Sequence, residues 1–259
     1  QAMLNKPPHI LITTPESLYL VLNSERGRTL FSNIRYLILD EIHYITTNKR
    51  GVHLSLSLER LMSLCREEPI RIGLSATQKP LDRIASFLGG QKITDEGCFP
   101  RTVSIIDCGQ KKEMDIKVVS PVPDFSDLPD FSVWPAVINM LYDYILSHRT
   151  TLVFLNMRAQ TEKITRQLNE KHQEKTSDPF ATIALAHHGS MSREMRYDVE
   201  DKLKNSKIPA VIATSSLELG IDIGSIDLVI QLEAPKSISG ALQRVGRSGH
   251  LLNASSKGR

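Results

Sequence analysis

The stretch Ile38-Leu39-Asp40-Glu41-Ile42-His43 places two adjacent carboxylates directly after an apolar run. This run predicts a buried strand, and ligands of open parallel sheets bind just outside the carboxyl ends of the strands. Magnesium–nucleotide chemistry requires one carboxylate on the metal side and another beside the attacking water, and Asp40 and Glu41 match that need. Since such pairs also occur as solvated caps at helix starts, further motifs must decide between the two interpretations.

Composition indicates a soluble globular protein. The chain has 259 residues, of which 41% are hydrophobic and 24% charged, enough for one large or two ordinary domains. A net charge of +3 is mild, so any basic surface for nucleic acid must be local, on one face. No apolar run approaches a membrane span and no signal peptide is visible. The three cysteines lack metal-ligand spacing, so we expect them to be reduced thiols. We expect the protein to be cytoplasmic, and to associate with the nucleoid if it is prokaryotic.

Apolar runs alternate with helix-period stretches, a pattern that predicts an α/β fold with parallel sheets. The predicted strands are 9–13, 36–39, 71–74, 151–155, 182–185, 210–213 and 227–230. The predicted helices are 52–64, 81–88, 134–147, 158–172 and 192–204. Residues 91–130 contain only short β-like stretches (103–106 and 116–119) and several prolines. We therefore predict a domain at 1–108, a connection at 109–132 and a second domain at 133–259.

Two motifs in the first domain follow predicted strands. Thr14 suits the N-cap and Pro15 the first turn of a helix, and the same free N–H groups could hold a phosphate of a nucleic-acid strand. Ser75-Ala76-Thr77 lies at another carboxyl end, where small hydroxyl residues could bridge the carboxylate pair to a neighbouring domain or simply form a turn. Neither motif is specific by itself.

In the second domain, Arg158 follows a strand and is placed to meet a backbone phosphate. The sequence His187-His188-Gly189-Ser190 follows the next strand. Adjacent histidines point apart and no third ligand is suitably spaced, so a metal site is disfavoured. A loop that contacts the nucleic-acid backbone or a plain turn remains as the alternative.

The segment 214–222, Thr-Ser-Ser-Leu-Glu-Leu-Gly-Ile-Asp, follows another strand. Ser215 and Glu218 have capping-box spacing. The hydroxyls, Gly220 and Asp222 would also suit a seam between strand and nucleotide, with Thr214 on a phosphate and Asp222 on a ribose hydroxyl.

The segment 243–250, Gln-Arg-Val-Gly-Arg-Ser-Gly-His, contains two glycines three apart, each of which costs a helix about 1 kcal/mol relative to alanine. An arginine held there can stabilise charge on a transferring phosphoryl group. A basic helix end on the surface is the alternative.

Taken in chain order, these motifs resemble those of the superfamily 2 helicases. The similarity covers nearly the whole chain, and it is greatest to the large helicase-related (Lhr) branch, which resembles Ski2-like helicases in having further domains after two motor domains. The closest stretches are 10–18, 37–43, 50–61, 72–90, 188–194 and 218–223. The resemblance implies two tandem RecA-like P-loop NTPase domains with parallel sheets, both incomplete in this chain.

The resemblance also implies roles in ATP hydrolysis. Asp40 coordinates Mg²⁺ through water, and Glu41 positions or deprotonates the attacking water. Gln243 senses the γ-phosphate region and Arg247 is the arginine finger of the second domain. The remaining nucleotide-binding residues are Gly220, Asp222 and His250. Many members carry another arginine where His250 stands, which puts a second finger in question.

For nucleic acid, the resemblance implies contacts that read no sequence and therefore suit movement along any strand. The implied contacts are Thr14, Pro15, Arg158, His188, Gly189 and Thr214. Coupling between the nucleotide and the strand is assigned to His43, Ser75, Ala76 and Thr77. The expected activity is ATP hydrolysis coupled to 3′-to-5′ movement on single-stranded DNA, or unwinding of DNA or DNA–RNA duplexes.

None of the 14 glycines is followed by lysine, so the phosphate-binding P-loop motif is absent from this sequence. We expect the P-loop upstream of Gln1, further domains downstream, and no ATP hydrolysis by this piece alone. We also expect the second domain to stop at its arginine motif, before its last strand.

Two other functions remain open. The chain could belong to an RNA helicase of a related branch, although Asp-Glu-Ile-His departs from the DEAD-box form. It could also be a non-catalytic helicase-like module that binds nucleic acid, although a pure binder has no chemical need for Glu41 and Arg247.

Overall fold

The structure, a computed structural model, describes residues 5–46, 48–75, 80–107, 113–126, 128, 132–218, 223–235, 237–249 and 255–259. The chain divides into two compact units, Gln1–Gly109 and Gln110–Arg259. In the part of the chain that is described, no helix is both long and apolar enough to cross a membrane.

The first unit is built around two parallel strands, with Tyr36 opposite Ile70 and Leu39 opposite Gly73. An antiparallel hairpin follows later in the unit. Its strands are β1 (Tyr36–Leu39), β2 (Ile70–Gly73), β3 (Gln91–Thr94) and β4 (Gly97–Pro100). Its helices are α1 (Pro15–Asn23), α2 (Glu25–Arg28), α3 (Ile42–Ile45), α4 (Lys49–Met62) and α5 (Leu81–Gly89).

Side-chain caps define where the two main helices of this unit begin. Thr14 accepts a hydrogen bond from the Ser17 N–H at α1, and Asn48 accepts one from the Gly51 N–H at α4. Such caps satisfy N–H groups that the first turn leaves unpaired. The predicted cap at Thr14 with Pro15 in the first turn is confirmed.

The prediction of a strand at 9–13 is wrong, and the β-like stretch 103–106 forms no strand either. Ile12 is 91% exposed and Ile10 is similarly exposed. A strand needs a neighbour to pair its backbone groups, and in the described residues β1 and β2 pair only with each other. An apolar run alone therefore does not make these stretches strands.

The second unit contains a six-stranded parallel sheet, in the order β5-β10-β9-β6-β8-β7. Its strands are β5 (Met114–Ile116), β6 (Thr151–Phe154), β7 (Ala184–His187), β8 (Ala210–Ala213), β9 (Leu228–Gln231) and β10 (Ser256–Gly258). Its helices are α6 (Trp134–Leu146), α7 (Arg158–Thr176), α8 (Arg193–Lys204) and α9 (Ile238–Val245), with a 3₁₀ turn at Ser215–Leu217. The parallel α/β fold is confirmed.

Two apolar cores cover the two faces of this sheet. Val153 and Ile212 pack into one core with side chains of α6 and α7. Leu152 and Val211, one residue earlier on each strand, pack into the other with side chains of α8. The alternation follows from the two-residue period of a strand, and it leaves β6 and β8 buried throughout.

The sheet contains two strands outside the predicted set. We expected no strand after the arginine motif, but β10 forms there, between β5 and β9. Strand β5 lies within the predicted connection 109–132 and covers only the start of the β-like stretch 116–119. Both are three-residue strands of weak β-propensity, so backbone pairing with neighbours decides their structure.

Candidate functional site

The Asp40–Glu41 pair lies at the carboxyl end of β1, where the chain turns into α3. Glu41 has φ 48° and ψ 39°, a left-handed conformation that costs a non-glycine residue about 1–2 kcal/mol. The Asp40 carboxylate accepts the Glu41 N–H at 2.9 Å and supports this turn. Strain of this kind concentrates at functional sites, and here it directs the chain so that Asp40 stays exposed and Glu41 half-buried.

His43 connects Glu41 to the end of the neighbouring strand. Its ring is 4% exposed, with Nε2 3.5 Å from Glu41 Oε2 and Nδ1 3.2 Å from Ser75 Oγ. The backbone holds the two ends together, since the Ile42 N–H donates to the Leu74 carbonyl at 3.1 Å. A continuous row of side chains therefore runs from Glu41 to Ser75. Ala76 and Thr77 lie outside the described residues.

The local charge suits a cation. Among the ion pairs of the described residues, none places a lysine or arginine on Asp40 or Glu41. Carboxylate oxygens with water access are the ligands that Mg²⁺ prefers. Asp40 can offer one carboxylate to a magnesium ion, with the Glu41 carboxylate beside it, although the described residues contain no group of three or more His, Cys, Asp or Glu that could hold a metal by itself.

The N-terminus of α1 is braced by an ion pair that the sequence analysis missed. Arg50 donates to both carboxylate oxygens of Glu16, at 2.6 and 3.1 Å. This hydrogen bond lowers the pKa of Glu16 from 4.5 to about 2. The bidentate pair ties α1 to the start of α4 and leaves Thr14 exposed at the helix end.

In the second unit, three of the residues predicted to contact nucleic acid lie at one edge of the sheet. Arg158, Gly189 and Thr214 follow β6, β7 and β8, which are neighbours in the sheet. An Arg158 Nη1 group donates to Ser190 Oγ, and the Thr214 N–H donates to the His187 carbonyl at 3.2 Å. Gly189 is exposed, and a Cβ there would meet no atom within 4 Å.

His188 is placed differently from the other predicted contacts. The ring is buried, with Nε2 2.6 Å from Glu162 Oε1, while Nδ1 accepts the Ser190 N–H at 3.3 Å. With both ring nitrogens engaged, His188 can shape the loop that presents Gly189 but has no nitrogen left for a phosphate. The adjacent residue His187 contacts other groups, Ser216 Oγ at 2.7 Å and Glu200 Oε1 at 3.1 Å. Burial lowers the pKa of His187.

The arginine motif lies on α9 and the turn after it. Arg247 donates from Nε and Nη2 to the Glu218 carbonyl, at 3.1 and 2.7 Å, and is half-buried. Gln243 is half-buried on α9 itself. Gly220, Asp222 and His250 lie outside the described residues.

The capping box proposed for Ser215 and Glu218 does not form, because no side chain caps the 3₁₀ turn there. The Glu218 carboxylate accepts instead from Arg244, which is 5% exposed and also donates to Gln231 Oε1 at 2.6 Å. Sequence reasoning missed this cluster. The available signal was that Gln231 directly follows the apolar run 228–230, where a buried polar group needs a partner.

Comparison with known proteins places both units among helicases. Residues 1–84 match the DEAD/DEAH box helicase family and residues 136–251 the helicase conserved C-terminal domain. The ATP-dependent helicase Lhr-Core of Methanothermobacter thermautotrophicus is 50% identical over 257 residues, 99% of this chain and 29% of that protein. The ATP-dependent helicase Lhr-Core of Methanocaldococcus jannaschii is 52% identical over 258 residues, 100% of this chain and 28% of that protein.

A solved structure is similar as well. The Mycobacterium smegmatis helicase Lhr, bound to ssDNA and AMP-PNP, matches with a TM-score of 0.88 and 46% identity, over 99% of this chain and 32% of that one. The chain therefore spans under a third of the length of these relatives.

Proposed function

This chain belongs to the superfamily 2 helicases, of the Lhr type, and we propose on that basis that it forms the RecA-like motor part of an ATP-dependent helicase. The observation that carries the proposal is the row Glu41–His43–Ser75 at the carboxyl ends of β1 and β2. It joins a candidate catalytic carboxylate to the Ser-Ala-Thr motif through a buried imidazole. A pure binding module has no need for such a connection.

Asp40 and Glu41 fit the part of a Mg²⁺–ATP site that holds the metal and the attacking water, whereas the phosphate-binding P-loop motif is absent from this sequence. Asp40 offers an exposed carboxylate for the metal side, and the half-buried Glu41 carboxylate is available to orient the attacking water and take its proton. When bound, Mg²⁺–ATP supplies the phosphoanhydride bond whose hydrolysis drives the motor. In the second unit, Arg247 and Gln243 serve the same reaction, Arg247 by stabilising charge on the transferring group.

The proposed substrate is single-stranded DNA, as in the M. smegmatis relative, or a DNA–RNA hybrid, with 3′-to-5′ movement. Thr14 and Thr214 hold the backbone from their separate units and Arg158 adds positive charge. His188 contributes by shaping the Gly189 loop, because its own ring is buried and hydrogen-bonded. Contacts to phosphates alone are independent of sequence, which suits a motor.

The test is ATP turnover by the full-length protein containing this chain, with and without single-stranded DNA. DNA-stimulated turnover should fall by about 10³-fold in Glu41→Gln, since the base and water-orienting group is lost. Glu67→Gln, which neutralises another exposed carboxylate of the first unit, is the matched control and should keep wild-type turnover. Equal turnover in wild type and Glu41→Gln would remove the catalytic role of Glu41.

The strand contacts need a separate assay. Anisotropy of labelled single-stranded DNA should show weaker binding by Thr214→Ala than by Thr182→Ala. Thr182 is an exposed threonine that precedes β7, whereas Thr214 follows the end of β8. Partial duplexes with a single 3′ or 5′ tail test polarity, and only the 3′-tailed duplex should be unwound. Unwinding of the 5′-tailed duplex alone would contradict the proposed direction.

A further inference from the structure

A buried ion pair links the two motifs of the second unit that the proposed function uses. Arg244 lies inside α9 at 5% exposure, and Glu218 follows the 3₁₀ turn after β8 at 9% exposure. The Glu218 Oε2 atom accepts from Arg244 Nε at 3.3 Å and from Nη2 at 3.0 Å. Both side chains are withdrawn from the surface, so neither is placed to contact a ligand directly.

The Arg244 guanidinium is held on its other sides as well. Nη1 donates to Gln231 Oε1 at 2.6 Å, and the group lies 5.0 Å from the centre of the Phe154 ring. The Gln231 amide is fixed in turn, since Nε2 donates to the Leu232 carbonyl at 2.8 Å. A planar guanidinium that donates to Glu218 on one side and to Gln231 on another, and lies over the Phe154 ring, has one orientation. It therefore specifies where α9 lies against the segment 214–218.

Glu218 also meets the proposed arginine finger, through its main chain. Its carbonyl accepts from Arg247 Nε and Nη2, while its carboxylate holds Arg244 three residues earlier. Rotation of the segment 214–218 would therefore move an acceptor of Arg247. The same segment begins at Thr214, the proposed strand contact at the end of β8.

We propose that the Glu218–Arg244 ion pair positions the Arg247 guanidinium for phosphoryl transfer and couples it to the strand contact at Thr214; this rests on the proposed function. Burial of an ion pair costs desolvation energy that apolar side chains would avoid, so its presence is better explained by geometry than by stability. Glu218 and Arg244 are positioning residues, which act through Arg247 without touching the nucleotide.

The first experiment measures ATP turnover by the full-length protein with the change Glu218→Gln. The amide cannot balance the Arg244 charge, and the segment that carries an acceptor of Arg247 should shift. A misplacement of about 1 Å can cost about 10²-fold, so kcat should fall by about 10- to 100-fold while KM for ATP stays within about twofold.

Asp115→Asn is the matched control. It makes the same chemical change in another ion pair of the second unit, in which Asp115 on β5 lies 2.8 Å from Arg259. Melting temperatures are measured for both variants. We expect turnover to fall in Glu218→Gln and to stay at the wild-type value in Asp115→Asn, whatever the loss of melting temperature.

Gly240→Ala is a second variant that keeps the fold. Alanine favours a helix over glycine, but its Cβ would lie 3.1 Å from both Glu218 Oε1 and the cap oxygen Ser237 Oγ, which would have to give by a few tenths of an ångström. We expect kcat to fall by about threefold with an unchanged or higher melting temperature. Loss of activity without loss of stability separates positioning from a purely structural role, even if Glu218→Gln does not fold.

Single-turnover rates in an Arg247→Ala background complete the test. If the ion pair acts through Arg247, Gly240→Ala should change the rate by less than about 1.5-fold once Arg247 is absent. An equal loss in both backgrounds, or wild-type kcat in both Glu218→Gln and Gly240→Ala, would overturn the positioning role while leaving the proposed function intact. No turnover in the unchanged protein would overturn both.

Discussion

The two parallel sheets of this chain contain similar apolar strands that are covered differently. In the first unit, Leu39 faces a core of α1, α4 and α5, but Ile38 is 60% exposed and Tyr36 and Ile70 are exposed with it. In the second unit, every residue of β6 and β8 is buried, because helices cover both faces. An apolar run therefore predicts a strand, but it does not predict how many of its faces the helices of this chain cover.

The two units also differ in the polar groups that they bury. The second unit buries His187, Glu218 and Arg244 among its apolar side chains, where each needs a partner. The first unit also buries His43, but Asp40 and the Glu16–Arg50 pair are open to water. Burial lowers the pKa of His187 in the second unit, whereas the hydrogen bond from Arg50 lowers the pKa of Glu16 in the first.

The largest expected effect comes from truncating matched strand residues in the two sheets. Leu152→Ala removes a fully buried side chain and should destabilise the second unit by about 2–5 kcal/mol. Ile38→Ala, on an exposed face, should cost about 1 kcal/mol or less. Urea unfolding followed by the fluorescence of the single tryptophan, Trp134 on α6, reports the first change, and hydrogen exchange of β1 peptides reports the second. Equal costs would mean that the two sheets are covered alike.

The next effect is the pH dependence that His187 confers on the second unit. Burial lowers the pKa of His187 below the ordinary value of 6.5. As pH falls below 6.5, the unfolded chain therefore binds a proton at this residue more readily than the folded chain does. Stability from this group is complete above pH 6.5 and is lost as pH falls below that value towards the lower folded pKa. Trp134 fluorescence in urea at pH 7.5 and 5.5 should show a smaller pH effect in His187→Asn than in wild type. Identical pH effects would show that His187 does not titrate this way.

A smaller effect is expected from making the exposed face of the first sheet polar. Ile38→Thr combined with Ile72→Thr keeps β-branched side chains, so the strands should persist with little change in far-UV circular dichroism. Binding of the apolar dye ANS should decrease, because the contiguous apolar face is interrupted. Ile93→Thr, on the separate hairpin, is the control and should leave dye binding nearly unchanged. Equal dye binding by wild type and the double variant would place the dye elsewhere.

The smallest effect concerns the exposed ion pair of the first unit. The pKa of Glu16 is about 2 because Arg50 donates to its carboxylate, so its contribution to stability is present above pH 4.5 and is lost as pH falls to about 2. The effect on stability should be slight, because both side chains are exposed to solvent. Carboxyl NMR titration should return the pKa of Glu16 towards 4.5 in Arg50→Gln. An unchanged titration would show that the ion pair does not form in solution.

The strands and helices with strong periodic signals were predictable. Strands β1 and β8 match their predicted bounds, and α6 and α8 differ by a residue or less. Strand β10 was not predictable, because Ser256-Lys257-Gly258 has no apolar pattern and forms only between β5 and β9. The opposite error occurred at 9–13, where the apolar pattern was present and no described strand pairs with it.

For the candidate site, the residue types and their order along the chain were readable as motifs. The contacts were not, because the side chains that hold those motifs are distant in sequence. Arg244 is fixed by Glu218 and Gln231, and Glu41 reaches Ser75 only through His43. The burial of His188, which withdraws its ring from the proposed strand contact, depends on Glu162 in the preceding helix.

The sequence by itself determined the alternation of strands and helices, the carboxylates after β1 and the arginines of α9 and the turn after it, because periodicity and local chemistry act over a few residues. The tertiary structure alone decided which sheet is covered on both faces, that the His188 ring is buried, and that Glu218 holds Arg244. Those outcomes depend on groups brought together from distant parts of the chain. Burial makes an unpaired polar group costly, and pairing with neighbouring strands allows a segment of weak β-propensity to form a strand.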